Sequence, residues 1–133
     1  RLATHVAELP SWTTFTLDRE VLEMTPDFKP NFAANRAELL AMFDKNVTDA
    51  RKMIEAATDD DWKVIWTFKW GGKTIISMPR SVVMRATIMN HLIHHRAQLG
   101  VFLRLNEVAI PGMYGPSADD AKWWEEKTSQ AAS

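Results

Sequence analysis

Three of the chain's four histidines fall in one pentapeptide, His91-Leu92-Ile93-His94-His95, and that pentapeptide lies inside an apolar stripe. Met84, Ile88, His91, His95, Leu99 and Phe102 recur at spacings of three and four, the period of one helix face. A long helix is therefore expected from near Pro79, a residue suited to a first helical turn, to about Leu105. Its inward face carries two imidazoles one turn apart. Leu2, His5, Leu9, Trp12 and Phe15 repeat the pattern on an earlier segment, with His5 among the apolar positions. An imidazole buried without a partner is costly, so each of these three needs a hydrogen bond or a metal ion. An i, i+4 pair plus one His from a facing helix supplies three nitrogen donors and leaves coordination positions open to water or substrate. His5, His91 and His95 are accordingly the candidate ligands of one divalent metal.

His94 lies about 100° around the helix from His95. It reads as a neighbour supporting the ligands or as packing near the rim. Asn90 and Gln98 are candidates to accept the other ring N–H of a ligating His. Glu8, nearly one turn after His5, either does the same or stays a solvated carboxylate. Arg96 pairs with Asp44, meets an anionic ligand, or has a plain surface role. For a catalytic proton carrier the candidates are His94 and Glu8.

The 133 residues suit one domain spanning 1–133, and at 46% hydrophobic and 25% charged the chain can bury a core without disulfides. It has no cysteine, which excludes a disulfide framework, a Cys-based zinc site and a Cys nucleophile. Any thiol used in chemistry must come from a bound cofactor. Nothing demands an oxidising compartment, and a cytoplasmic protein is expected. Sixteen basic and seventeen acidic residues give a net charge of −1, without the basic excess of a nucleic-acid binder. No apolar run approaches membrane-spanning length.

Elsewhere the periodicity predicts a helix from Leu2 to about Met24, kinked or split at Pro10, and a loop over Thr25–Asn31. A second long helix follows from about Ala33 to Ala57, with Leu39, Leu40, Phe43, Val47, Ala50 and Ile54 as its stripe. The run Thr58-Asp59-Asp60-Asp61 ends that helix or caps a short turn near Trp62. Trp66–Trp70 and Lys73–Ile76 read as two short extended pieces about the tight turn Gly71-Gly72. Gly72-Lys73-Thr74 matches the end of a phosphate loop, but Thr67 stands where that motif needs its first glycine, so the match is chance. A last helix is expected near 118–130, opened by Asp119 and Asp120. The six tryptophans, Trp12, Trp62, Trp66, Trp70, Trp123 and Trp124, read mainly as core or dimer contacts, Trp12 lying close to the histidines. The fold class expected from the sum is all-α.

Asn90-His91-Leu92-Ile93-His94-His95-Arg96-Ala97-Gln98-Leu99 resembles the signature helix of the DinB-like (damage-inducible, YfiT-like) metalloprotein family. His5–Trp12, Phe43-Asp44-Lys45-Asn46 and Ile110–Asp120 fit the same family. The resemblance implies a four-helix bundle with a three-histidine site for a divalent metal, often nickel or zinc, commonly in a homodimer. Carried over residue by residue, the ligands are again His5, His91 and His95. It further implies a metal-dependent S-transferase or isomerase using a low-molecular-weight thiol such as bacillithiol or mycothiol, although many members have no assigned reaction. The alternative is a non-catalytic metal-binding or stress-response bundle. No obvious fourth protein ligand is present, which favours the enzyme. One departure stands out: family members usually carry another long helix before the first His, and this chain opens directly on Arg1-Leu2-Ala3-Thr4-His5 without a starting Met. Either the sequence begins inside a longer one, or another chain completes the bundle. A homodimer would cover the exposed aromatic and Met-rich faces.

Overall fold

Pro10 divides the first segment. It has no N–H to continue the ladder, so helix α1 (Leu2–Glu8) stops and α2 (Ser11–Asp18) restarts on the far side. Arg19 then turns extended, at φ −145° and ψ 160°, and Val21–Met24 forms strand β1. Helix α3 (Arg36–Ala56) begins where the Asn35 side chain accepts the Glu38 N–H at 3.0 Å. The Glu38 carboxylate reaches back to the Ala34 N–H at 2.9 Å, so two orphan donors are satisfied. A 3₁₀ turn at Asp61–Lys63 leads into β2 (Ile65–Trp70) and β3 (Lys73–Pro79). The turn between them has Gly71 at φ 53° and Gly72 at φ 78°. Two consecutive left-handed residues match the twist of the hairpin, and glycine adopts them without strain.

After β3 the chain is continuously helical. It passes through α4 (Arg80–Val82), a π-helical stretch Val83–Met89, and α5 (Asn90–Leu105). The computed structural model describes residues 1–120 and Thr128. Arg1–Arg96 and Ala97–Ser133 form two compact units.

In the first unit the three strands make one mixed sheet in the order β1-β2-β3. β1 runs parallel to β2, pairing Val21 with Thr67 and Met24 with Trp70, and β2 runs antiparallel to β3. This sheet overturns the all-α four-helix-bundle expectation. The two extended pieces around Gly71-Gly72 are strands, as read, but the tail of the first segment is a third strand rather than the end of a helix. The physical reason is alternation: Leu22 is buried while Val21 and Glu23 are exposed, the period of a strand with one face covered. β2 behaves alike, with Trp66 fully buried between exposed Ile65 and half-buried Thr67. The inward face of the sheet and the helices enclose the core, formed by Leu22, Trp66, Val83 and Ile88 with Trp12, Phe15 and Phe68 packed against it. Arg80, 6% exposed, ties the elements by donating to the carbonyl oxygens of Arg19 at 3.3 Å and Asp61 at 3.5 Å.

In the second unit α5 ends at Leu105. Glu107 takes a left-handed conformation at φ 59°, and the Val108 N–H returns to the Leu103 carbonyl at 3.0 Å. The following loop is gathered by two carboxylates. Asp120 accepts from the N–H groups of Gly112 at 3.0 Å and Ser117 at 2.6 Å, and Asp119 accepts from Ile110 and Arg104. Ala118–Asp120 is a 3₁₀ turn. From residue 121 to 130 the last expected helix, with Trp123 and Trp124, lies outside the described residues apart from Thr128. Among the described residues no helix is long and apolar enough to cross a membrane.

Candidate metal centre

His5 reaches the site from α1, and its placement depends on the break at Pro10. The break frees carbonyls at the end of α1, and the Asn46 side chain of α3 donates to the Ala7 carbonyl at 2.9 Å. That bond locks the short helix against the long one. His91 and His95 come from the first turns of α5, immediately after the π-helical stretch. There the Asn90 N–H reaches the Arg85 carbonyl five residues back. π-type segments are wider than α-helix and recur at functional sites because they re-aim the side chains that follow.

One ring nitrogen from each of His5, His91 and His95 lies within 4.8 Å of the others. The Nε2 atoms of His5 and His91 are 3.4 Å apart, and those of His91 and His95 are 2.8 Å apart. The three rings are packed edge-on or tilted, with centroids 4.6–5.1 Å apart. For bonds of about 2.0–2.1 Å, two ligands of one ion are separated by about 2.8–3.0 Å at a right angle and about 3.3–3.4 Å at the tetrahedral angle. Both of these separations fall in those ranges, and all three nitrogens lie within 4.8 Å of one another, so the group could hold a divalent ion.

The protonation states agree. Burial holds the His5 imidazole below its usual pKa, and His95 and His91 add to the effect. Burial does the same for His91, helped by His95 and opposed by a hydrogen bond to the Thr87 backbone. The backbone of Thr87 is thus a hydrogen-bond partner of the His91 ring, the kind of contact that orients a ligating histidine. Asn90 and Gln98, the side chains that the sequence offers as supports for the ligands, are both exposed. A backbone group carries no side-chain signature, so nothing in the sequence pointed to Thr87.

His94 stays outside the cluster. It is exposed, and its ring stands edge-on to that of His95 with centroids 4.8 Å apart. Glu8 is half-buried and shares the wall of one cavity with His5, and burial pushes its carboxyl above the usual carboxylate range. Arg96 is half-buried and Asp44 exposed. Trp12 lies in the same cavity wall and meets Trp66 and Phe68 edge-on, joining the site to the core of the sheet.

Comparison with curated proteins and with solved structures gives no significant match. The model of the DinB family matches residues 1–129, nearly the whole chain. The chain therefore belongs to the DinB family.

Proposed function

We propose that His5, His91 and His95 hold one divalent metal ion, nickel or zinc, and that the protein is a metal-dependent S-transferase for a low-molecular-weight thiol. The observation that carries this reading is the convergence of three imidazole nitrogens from two helices within 4.8 Å of one another, two of the pairs at ligand-pair spacing. Among the described residues the cluster contains three donors, the number that leaves room for an exogenous ligand. With no cysteine in the chain, that ligand's sulfur has to come from a small molecule. Nitrogen donors of this kind suit nickel and zinc alike, and availability decides between them.

A divalent ion bound there would lower the pKa of a thiol placed against it and make the thiolate available near neutral pH. The protein's own residues do the rest. Burial favours the neutral forms of His5 and His91, the forms that can coordinate a metal. The Thr87 backbone holds the His91 ring in register. Trp12 and Phe15 give the cavity beside His5 an apolar wall. Glu8, its carboxyl raised by burial, can take or return a proton at a carboxylate oxygen. The cavity that His5 shares with Glu8 gives a small molecule a way in, which favours an enzyme over a purely structural site.

Protein purified without an affinity tag should carry nickel or zinc at close to one ion per chain by elemental analysis. Failure to retain any divalent metal, both as isolated and after incubation with zinc and dialysis, would sink the reading. Turnover of bacillithiol or mycothiol with an electrophile tests the second half. Bound metal with no thiol dependence would return the protein to the non-catalytic class.

We also propose that the chain forms a homodimer. Leu40 and Ile54 on α3, Val82 on α4 and Met89 at the end of the π-helical stretch are 40–48% exposed, an apolar load that a partner would cover. Sedimentation at micromolar concentration should give a dimer, and a stable monomer would refute this.

A further inference from the structure

Leu40, Val47 and Ile54 stand seven residues apart on α3. Seven residues make two turns with a drift of about 20°, so the three form one apolar line along the helix, about 21 Å from end to end. Leu40 is 48% exposed and Ile54 40%, while Val47 is half-buried. Asp44 and Arg51 are also seven apart, both exposed, and run beside that line on one flank. Among the described residues neither takes part in an ion pair. The side of α3 that carries Asn46 and Ala50 is already covered: Asn46 donates to the Ala7 carbonyl of α1, and Ala50 is buried. The line through Val47 is not, and it borders an apolar cavity of about 450 Å³ whose walls include Val47, Ile54, Met89 and Leu92.

The order Leu40, Asp44, Val47, Arg51, Ile54 complements itself when reversed. Let two copies of α3 pack antiparallel about a two-fold axis at Val47. Val47 then meets the partner's Val47, and Leu40 meets the partner's Ile54. The same placement sets Asp44 beside the partner's Arg51 and Arg51 beside the partner's Asp44, so the ion pair occurs twice, as a two-fold interface requires. Parallel packing in register does the opposite: Asp44 faces the partner's Asp44, and Arg51 faces the partner's Arg51. Like charges set against each other are costly, whereas exposed ion pairs contribute little affinity by themselves. The apolar line therefore supplies the attraction and the charges choose the direction.

We propose that α3 is the homodimer interface, with two copies packed antiparallel about a two-fold axis at Val47 and oriented by reciprocal Asp44–Arg51 pairs. This rests on the homodimer reading and adds to it the face, the direction and the register.

The test uses the full chain, which has no cysteine, so a single introduced one reports only on its own neighbours. Val47→Cys treated with a short bismaleimide should give a covalent dimer. Leu40→Cys should not link to itself, because the two copies of that position stand about 21 Å apart along the helices. A mixture of Leu40→Cys and Ile54→Cys should link. In sedimentation equilibrium, Asp44→Arg and Arg51→Asp should each weaken the dimer at least about tenfold, since each sets like charges together twice. The variant carrying both changes should regain the parent's affinity, and an equimolar mixture of the two single variants should form a heterodimer. Both positions are exposed, so far-UV circular dichroism should match the parent throughout. A monomeric parent would defeat the homodimer and this interface together. A dimeric parent would overturn the interface and leave the homodimer standing if Val47→Cys stays unlinked, if Leu40→Cys links to itself, or if the charge reversals leave the affinity unchanged.

Discussion

Replacing His95 with Ala should strip the metal from the protein, whereas replacing His94 with Ala should leave most of it bound. The two residues are adjacent, so helix propensity and local charge change in nearly the same way. Their geometry differs. His95 Nε2 lies 2.8 Å from His91 Nε2, inside the three-nitrogen group, while His94 is exposed and only its ring edge meets His95. Removing a neighbour that steadies a ligand lowers metal affinity or activity on the order of 10–100-fold, and removing a ligand from a three-donor site should exceed that range. In a thiol transferase His95→Ala should abolish turnover, and added metal should not restore it. His94→Ala should reduce turnover within the smaller range. Elemental analysis and a zinc titration of both variants decide the matter, and equal metal loss from both would show that the ligand has been assigned to the wrong histidine.

The histidine centre was legible because its signal is local and chemical. Imidazoles at apolar positions, one turn apart, conflict with a simple core, and the stripe through Leu9 and Trp12 placed His5 on the same kind of face. What was not legible depends on partners far along the chain or on backbone groups. Val21-Leu22-Glu23-Met24 has apolar residues at spacings that a helix also allows, and it becomes a strand only by pairing with Thr67–Trp70. The short extended pieces around Gly71-Gly72 showed in the sequence because a glycine pair at left-handed φ is itself a local signal. The π-helical stretch is a choice of bonding pattern, Asn90 to Arg85 rather than to Ala86, that no side chain announces. The Thr87 backbone contact is hidden for the same reason. Asn46 stood in a stretch matching the family, yet its task, donating to Ala7 across two helices, follows only from the break at Pro10.

Because the sheet and not a fourth helix closes this core, Trp66 on the central strand is where the fold should be most vulnerable. Its side chain is fully buried among Leu22, Val83 and Ile88, stacked on Phe68 at an interplanar angle of 10° and met edge-on by Trp12. Its indole N–H donates to the Phe15 carbonyl at 3.1 Å, tying β2 to α2. Trp66→Ala removes the largest side chain of the core and leaves a cavity that strands paired on both sides cannot easily collapse around, which should cost about 3–5 kcal/mol. For a domain whose total stability is on the order of 5–15 kcal/mol, the loss is severe. Trp66→Phe keeps most of the apolar volume but leaves the Phe15 carbonyl without its donor, and should cost about 1–3 kcal/mol. The strain should pass to the site through Trp12, so Trp66→Phe should still bind metal while Trp66→Ala loses it together with its fold. Urea unfolding of the three proteins, followed by far-UV circular dichroism, measures the series. A Trp66→Ala protein within about 1 kcal/mol of the parent would mean that the core does not rest on this strand.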